Sequence, residues 1–144
     1  MTLDKDDKKD LANYRLEKAD IFLNDAKTLL NASAYGSSTN RSYYAMLSAA
    51  RSLLILRGIS AETHEGVKTM ISREYIKTGL FPKEMGEIFR NLQARRVDSD
   101  YGDYVEISED EARDSLAKAG RFVSEVKRVS RSILEEKKED GPTF

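Results

Sequence analysis

Residues 95–104, with the sequence RRVDSDYGDY, bring together side chains that can bind phosphate and transfer protons. Two arginines, three aspartates and two tyrosines lie within these ten residues. A guanidinium group pairs with phosphates or carboxylates, and an aspartate or tyrosine takes part in proton transfer when its pKa is suitably shifted. The segment therefore has the composition of a functional site.

A purely structural interpretation fits the same residues. Arg95 and Arg96 would complement the dipole at the C-terminus of a helix, and residues 98–103 would form a charged turn. Tyr101 and Tyr104 would then pack against neighbouring helices. The composition of the segment alone leaves both interpretations open.

A second polar cluster occurs in the sequence NRSYYAMLSAAR, residues 40–51. Four of its side chains recur at spacings of three or four and so share one face of a helix: Arg41, Tyr44, Ser48 and Arg51. Arginines on a half-buried face require carboxylate partners. The candidates are Asp98, Asp100 and Asp103. We expect an Arg–Asp–Tyr network between the two helices concerned.

Composition limits the classes of protein that fit. The 144 residues suffice for one domain with its own core, and 40% hydrophobic with 34% charged residues is typical of a soluble globular chain. The absence of cysteine excludes disulfides and thiolate metal sites, and a single histidine argues against zinc. We expect no metal and no cofactor. The formal charge of -1 means that any contact with RNA has to be local.

The ends and the apolar runs predict a cytoplasmic protein without a membrane segment. The acidic N-terminal sequence MTLDKDDKKD lacks the basic and then apolar order of a signal peptide. The longest aliphatic run is residues 53–56, far shorter than the roughly 20 residues needed to span a bilayer.

Apolar residues recur at helical intervals throughout the chain, which predicts five helices and no strand. The first helix is predicted at about residues 11–32, and residues 34–40 as the turn that leads into the second. Gly58 is predicted to end the second helix and Gly79 the short third helix.

The last two helices have their own start signals. Pro82 suits the first turn of the fourth helix, and residues 108–111, SEDE, match a capping box before the fifth, which extends to about Glu136. Such helices pack most simply as an all-α, up-and-down antiparallel bundle. We predict one domain over residues 1–144, with flexible ends at about 1–9 and 137–144. Residues 95–104 would be a surface connection at one end of the bundle.

Several short motifs carry a resemblance to a known family. They are Tyr43-Tyr44-Ala45, Ala49-Ala50-Arg51, and an arginine followed by Ser99-Asp100-Tyr101. Together they resemble the HEPN domain, an all-helical module also found at the C-terminus of the chaperone sacsin. The resemblance extends over roughly residues 11–126 and is greatest to the small free-standing prokaryotic members.

The resemblance implies an antiparallel bundle, usually a homodimer, and two kinds of function. Many HEPN proteins are metal-independent RNases in which the dimer unites two copies of a motif, an arginine followed four to six residues later by a histidine. Others are encoded beside a minimal nucleotidyltransferase and form a toxin and antitoxin with it. That partner can attach AMP to a tyrosine next to the motif.

Residue by residue, the resemblance places Arg95 or Arg96 at the arginine position and Tyr101 at the tyrosine. The motif histidine is absent. Asp100 is a poor substitute, because an aspartate with a pKa of about 3.9 is a weak base unless burial raises it. The only histidine, His64, lies at the start of the predicted third helix, where it fits helix capping or surface packing.

We therefore expect a HEPN-type interaction module whose partner is a minimal nucleotidyltransferase. The region of Arg96, Asp100 and Tyr101 would be the site of contact or modification. Residues that contact a nucleotide or the partner would be Arg41, Tyr44, Arg51 and Arg95. One alternative is a metal-independent RNase in which Arg96, Asp100 and Tyr101 carry the chemistry. The other is a nucleotide-binding protein with a cleft near Arg41 and Arg51.

A homodimer is expected as well. Helix two is apolar around more of its circumference than a one-sided surface helix requires. The residues concerned are Tyr43, Tyr44, Met46, Leu47, Leu53, Leu54, Ile55 and Leu56. An opposing expectation is that the short third helix folds back over the exposed side.

Overall fold

The computed structural model describes residues 3–101 and 106–139, apart from the side chains of Tyr101 and of residues 137–139. Its helices are α1 (Lys5–Asn31), α2 (Tyr35–Ile55), α3 (His64–Ile71), α4 (Glu84–Tyr101) and α5 (Glu109–Glu139), and a π-helical turn at Ser72–Ile76 extends α3. The described residues contain no strand, which confirms the all-α antiparallel bundle. None of these helices has the length and apolarity that crossing a membrane would require.

A seam of small side chains joins α1 to α2. Both helices place small residues seven positions apart: Ala12, Ala19 and Ala26 on α1, and Ser38, Ala45 and Ser52 on α2, all of them buried. Two hydroxyls reach across the seam to main-chain carbonyls, since Ser38 Oγ donates to Ala26 O and Ser52 Oγ to Ala12 O, both at 2.7 Å. Only small side chains let two helix backbones approach this closely. The two bonds fix the antiparallel register and place Ala19 opposite Ala45.

α2 is the central helix and packs against α1, α3, α4 and α5. Tyr43, Met46, Leu53 and Leu54 are at most 1% exposed within the single chain. The apolar excess on α2 is therefore covered by the chain's own helices, α3 among them. The homodimer was expected because α2 is apolar around much of its circumference. That reason is wrong, since the helices of one chain already cover these residues.

Two helix starts differ from the sequence prediction. α1 begins at Lys5 because the Asp4 side chain caps it, accepting a hydrogen bond from Asp7 N at 2.8 Å. The turn between α1 and α2 comprises only residues 32–34, and Ser33 adopts the left-handed conformation with φ 62°. The predicted turn at residues 34–40 is wrong, because α2 already begins at Tyr35. Ser38, which was predicted to lie in that turn, is a residue of α2, and its hydroxyl donates to a carbonyl of α1.

Other local signals are confirmed. Gly58 and Gly79 both have positive φ, 71° and 81°, and each lies three residues beyond the helical segment that it ends, at Ile55 and Ile76. Ser108 and Glu111 form the predicted capping box: Ser108 N donates to Glu111 Oε1 at 3.2 Å, and Glu111 N donates to Ser108 Oγ at 3.1 Å.

The predicted connection at residues 95–104 is wrong for its first seven residues, which are the last two turns of α4. Asp98 and Asp100 are helical residues rather than turn formers. Packing explains the longer helix, since Ser99 Oγ donates to Gly36 O at 3.1 Å and so joins this end of α4 to the start of α2. A β-carbon at position 36 would lie 3.2 Å from that hydroxyl.

The seam predicts the effect of a single substitution. Ala45→Leu inserts a large side chain where the two helices touch, and we expect it to destabilise the fold by about 1–3 kcal/mol. The free energy of unfolding in urea measures the effect. Ala117→Leu makes the same change at an exposed position of α5 and should change stability by no more than about 0.5 kcal/mol. Equal effects of the two substitutions would contradict a tightly packed seam.

Candidate functional site

Arg96 is the centre of a polar cluster between α4 and α2. Its Nε forms an ion pair with Asp100 Oδ2 at 3.0 Å, and its Nη2 donates to the hydroxyl of Tyr44 at 3.2 Å. The guanidinium carbon lies 5.7 Å from the ring centroid of Tyr43 and 5.8 Å from that of Tyr44. With 18% of its side chain exposed, Arg96 is held by a carboxylate and two aromatic rings.

Asp100 links this cluster to the first turns of α2. The side-chain amide of Asn40 donates to both oxygens of Asp100 at 3.3 Å, and Arg41 Nη1 donates to Asn40 Oδ1 at 3.4 Å. An Arg–Asp–Tyr network between α2 and α4 thus exists. Its arginine is Arg96, whereas the prediction from the sequence was that the arginines of α2 pair with the aspartates.

That pairing is wrong for the part of the chain that is described. Neither Arg41 nor Arg51 forms an ion pair there, and Asp103 lies outside the described residues. The reason is the length of α4: once residues 96–100 are helical, Arg96 and Asp100 stand one turn apart and pair with each other.

Arg95 points to a different helix from Arg96. Its Nη1 pairs with Asp114 Oδ2 at 2.6 Å and donates to Ser115 Oγ at 3.1 Å, both on α5. By sequence either arginine could be the functional one, and in the structure only Arg96 reaches the cluster on α2. Tyr101 is the last residue of α4, and its side chain lies outside the described residues.

His64 joins the cluster from the start of α3. Its Nδ1 lies 2.8 Å from the Tyr43 hydroxyl and shares a hydrogen bond with it. Its ring centroid is 5.5 Å from that of Tyr43 and 6.3 Å from that of Tyr44. The cap of α3 is Thr63, whose hydroxyl accepts from Gly66 N at 2.9 Å. His64 is thus a member of the site rather than a helix cap, which its position in the sequence did not reveal.

The surroundings keep the imidazole neutral. Burial lowers the pKa of His64, and the positive charges of Arg51 and Arg96 lower it further. A neutral imidazole accepts a proton through whichever nitrogen carries none. Burial raises the pKa of Tyr43 to about 12, so that its hydroxyl stays protonated at neutral pH and orients the imidazole. The cluster therefore combines a proton acceptor in His64 with a cation in Arg96.

Two depressions adjoin this cluster. A pocket of about 340 Å³ between α1 and α2 includes Tyr44 and Arg51 in its wall. A wider groove of about 560 Å³ runs between the extended α3 and α4. Its lining contains five cations and one carboxylate: Lys68, Arg73, Lys77, Lys83 and Arg90, with Glu87. Phe89 lies in its floor, with its ring centroid 6.5 Å from that of Tyr43.

The groove is a local basic surface on a chain whose formal charge is -1. The sequence shows no basic stripe, because these cations are spread from Lys68 to Arg90 and come together only through packing. Among the described residues, no group of three histidines, aspartates or glutamates is arranged to hold a metal ion.

The family model for the HEPN domain matches residues 12–129, which contain the whole cluster. The chain belongs to the HEPN domain family. A UPF0332 protein of Thermotoga maritima is 33% identical over 85% of this chain and 93% of its own length. A protein of Methanocaldococcus jannaschii, named as a candidate toxin, is 31% identical over 83% of this chain and 82% of its own length.

The fold also has a solved counterpart. TT1696 from Thermus thermophilus superposes with a TM-score of 0.72 at 20% identity, over 82% of this chain and 97% of that one. At this identity the likeness concerns the fold alone. This HEPN chain thus has the same helical-bundle fold as TT1696. The likeness does not extend to the side chains of the site.

The single histidine makes its protonation directly measurable. We expect a proton NMR titration of the His64 imidazole to give a pKa below the ordinary value of 6.5, and Arg96→Ala to raise it by removing a positive charge. Because this pKa is lowered by folding, the neutral imidazole stabilises the fold above pH 6.5, and that contribution is lost as the pH falls through the folded pKa.

Arg41→Ala is the control for this titration, because Arg41 is an exposed arginine of α2 whose charge does not contribute to the shift. It should leave the pKa of His64 unchanged. A wild-type pKa at or above 6.5 would contradict the geometry of the cluster.

Proposed function

We propose that this HEPN protein is the toxin-like member of a two-protein pair whose other member is a minimal nucleotidyltransferase. Two proteins of Methanocaldococcus jannaschii that are 31% and 28% identical to it are named as candidate toxins. The observation that carries the proposal is the half-buried Arg96, held by Asp100 and Tyr44 and followed closely along α4 by Tyr101.

Modification of Tyr101 would act directly on that arginine. An AMP group on the tyrosine would add a negatively charged phosphate to the residue that follows Asp100 in the chain, and Asp100 pairs with Arg96. The phosphate would compete with Asp100 for the guanidinium and block access to Arg96. Arg41, exposed at the same edge, offers a cation to the partner, whereas Arg95 is already engaged with Asp114.

The proposal predicts that a neighbouring gene encodes a minimal nucleotidyltransferase, and the test uses the product of that gene. We expect the two proteins to co-purify and, after incubation with ATP, this chain to gain the mass of one AMP group at Tyr101. Tyr101→Phe should abolish the mass change. Tyr14→Phe, at a tyrosine that is 57% exposed, should not. Absence of both the complex and the mass change would reject the proposal.

A second candidate function is metal-independent RNA cleavage, which the position of His64 favours. In such a reaction the 2′-oxygen of a ribose attacks the adjacent phosphorus and the 5′-oxygen leaves. One group takes the proton of the 2′-hydroxyl and another protonates the leaving oxygen. The neutral His64 would take the proton, and Arg96 would stabilise the negative charge on the phosphorus oxygens.

A homodimer, which we also propose, would complete this reaction. Two copies of the cluster facing one cleft would supply a tyrosine hydroxyl of the second copy as the proton donor. The basic groove beside Phe89 would hold the RNA backbone next to the cluster. This extends the RNase alternative from the sequence, because the missing histidine of the motif would come from α3.

This candidate predicts cleavage of RNA in the presence of EDTA. Arg96→Ala and His64→Ala should each lower the rate by about 10² or more, since each removes a group that acts in the transition state. Activity should also fall as the pH drops below the pKa of His64. Gel electrophoresis of a labelled RNA measures the rate.

Arg131→Ala serves as the matched control, because Arg131 is exposed on α5 away from the cluster. Its rate should equal that of the wild type. Unchanged activity in Arg96→Ala would exclude the assignment, and a mass of 16.3 kDa by light scattering would exclude the shared cleft.

A further inference from the structure

The groove between α4 and the extended α3, which we call the α3–α4 groove, carries mostly unpaired cations. In the part of the chain that the structure describes, only Lys68 of its five cations forms an ion pair, with Glu65 at 3.0 Å. The other four are exposed: Arg73, Lys77, Lys83 and Arg90. Like charges around one depression repel one another, so an acidic occupant would be attracted to it.

The π-helical turn explains how the cations of the α3 side come to line the groove. In an unbroken α-helix, positions 68 and 77 would face opposite sides, because a separation of nine residues makes about two and a half turns. The wider turn at Ser72–Ile76, closed by a bond from Lys77 N to Ser72 O at 2.9 Å, changes this rotation. Lys68 and Lys77 therefore both line the groove. Such turns are rare and are frequently found at functional sites.

The opposite rim follows the start of α4. Lys83, Glu87 and Arg90 are four and three residues apart and so share one side of this helix. Between the two rims lies an apolar floor, in which Ile76 is only half-buried. A β-carbon at Gly86 would lie 3.2 Å from Ile76 Cδ1, so a larger residue at position 86 would crowd the floor. The groove thus has charged rims on both sides of an apolar strip.

This lining favours a protein segment over a nucleic acid. Among the described residues that line the groove, Phe89 is the one aromatic side chain, and at 1% exposure it offers no open ring on which a base could stack. Glu87 stands among the cations and would repel a chain of phosphates, whereas a peptide can offer it a basic or amide group. An apolar strip in a groove between two helices is suited to an amphipathic helix.

We propose that the α3–α4 groove docks an acidic amphipathic helix of a partner protein. The apolar face of that helix would lie on Ile76, and carboxylates on either side of it would pair with the cations of the two rims. The docking requires neither modification of Tyr101 nor RNA cleavage, and it does not depend on the partner's being a nucleotidyltransferase. A helix bound here would cover the surface assigned above to the RNA backbone and so exclude RNA.

A designed peptide tests the groove on the full-length protein. The probe is a fluorescein-labelled peptide of about 15 residues, or four helical turns, with leucines along one face, glutamates on both sides of them and alanine elsewhere. We expect saturable binding in fluorescence anisotropy, with a dissociation constant that rises with sodium chloride concentration. A peptide of the same composition with its leucines distributed around the helix should bind at least tenfold more weakly. Equal binding of the two peptides would overturn the proposal, because charge alone would then explain the attraction.

Substitutions in the two rims locate the bound peptide. Lys77→Gln and Arg90→Gln should each weaken binding about two- to fivefold, as expected for exposed ion pairs. Lys77→Glu combined with Arg90→Glu should weaken it tenfold or more, because like charges then face each other. Both positions are exposed, and circular dichroism checks that the fold is intact. Lys27→Gln removes an exposed cation of α1 outside the groove and should have no effect, and equal losses at positions 27 and 77 would contradict docking in the groove.

Two other results would assign the groove to a different occupant and overturn the proposal. One is an oligoribonucleotide of equal charge that binds more tightly than the peptide and loses its binding in the Lys77→Glu, Arg90→Glu double variant. The other is a change in molecular mass of that double variant in light scattering, which would mean that a second copy of the chain covers the groove. Both are measured without the nucleotidyltransferase and without AMP transfer, so they stand apart from the test on Tyr101.

Discussion

The close contact of α1 with α2 is the constraint on which the rest of this bundle depends. Ser38 and Ser52 donate to carbonyls of α1 at the two ends of the seam, and the alanines between them leave no room for rotation or sliding. With that face of α2 committed to α1, Tyr43 is directed towards α3 and α4. Tyr44 remains at the edge, where it contacts both the pocket between α1 and α2 and Arg96.

Electrostatics give this region its chemical character. Arg15, Arg51 and Arg96 surround the tyrosine pair and His64, and Asp100 is the carboxylate that offsets one of them. An excess of positive charge near a half-buried imidazole has two consequences. It keeps His64 neutral at physiological pH, and it favours any negatively charged ligand that enters. The first consequence comes from burial together with the charges of Arg51 and Arg96, and the second from all three guanidinium groups.

The site differs from the motif that the HEPN resemblance implies in where its histidine comes from. The family match over residues 12–129 includes the tyrosine pair of α2, His64 and Arg96. The family resemblance leads one to look for a histidine four to six residues after the arginine, and Asp100 occupies that stretch here. In this chain the imidazole reaches the neighbourhood of Arg96 from α3 instead, through Tyr43. The fold therefore brings an imidazole near a guanidinium group, although no histidine follows the arginine four to six residues later in the sequence.

The sequence by itself determined the number of helices, the ends at Gly58 and Gly79 and the capping box at Ser108. It also identified Arg96, Asp100 and Tyr44 as candidates. These features depend on hydrogen bonds and apolar periodicity within a few residues, so local chemistry suffices to predict them. The homodimer and the role of Tyr101 stay predictions.

Tertiary packing alone decided the remaining features: the last turns of α4, the choice of Arg96 over Arg95, and the inclusion of His64 and Arg15. Residues 95–101 have a composition that suits a turn, yet Ser99 bonds to Gly36 and Arg95 to Asp114, and these distant contacts hold the segment helical. Arg15 meets Arg51, and His64 meets Tyr43, across the bundle. Such pairs form because side-chain packing fixes the rotation of each helix, which no local sequence pattern encodes.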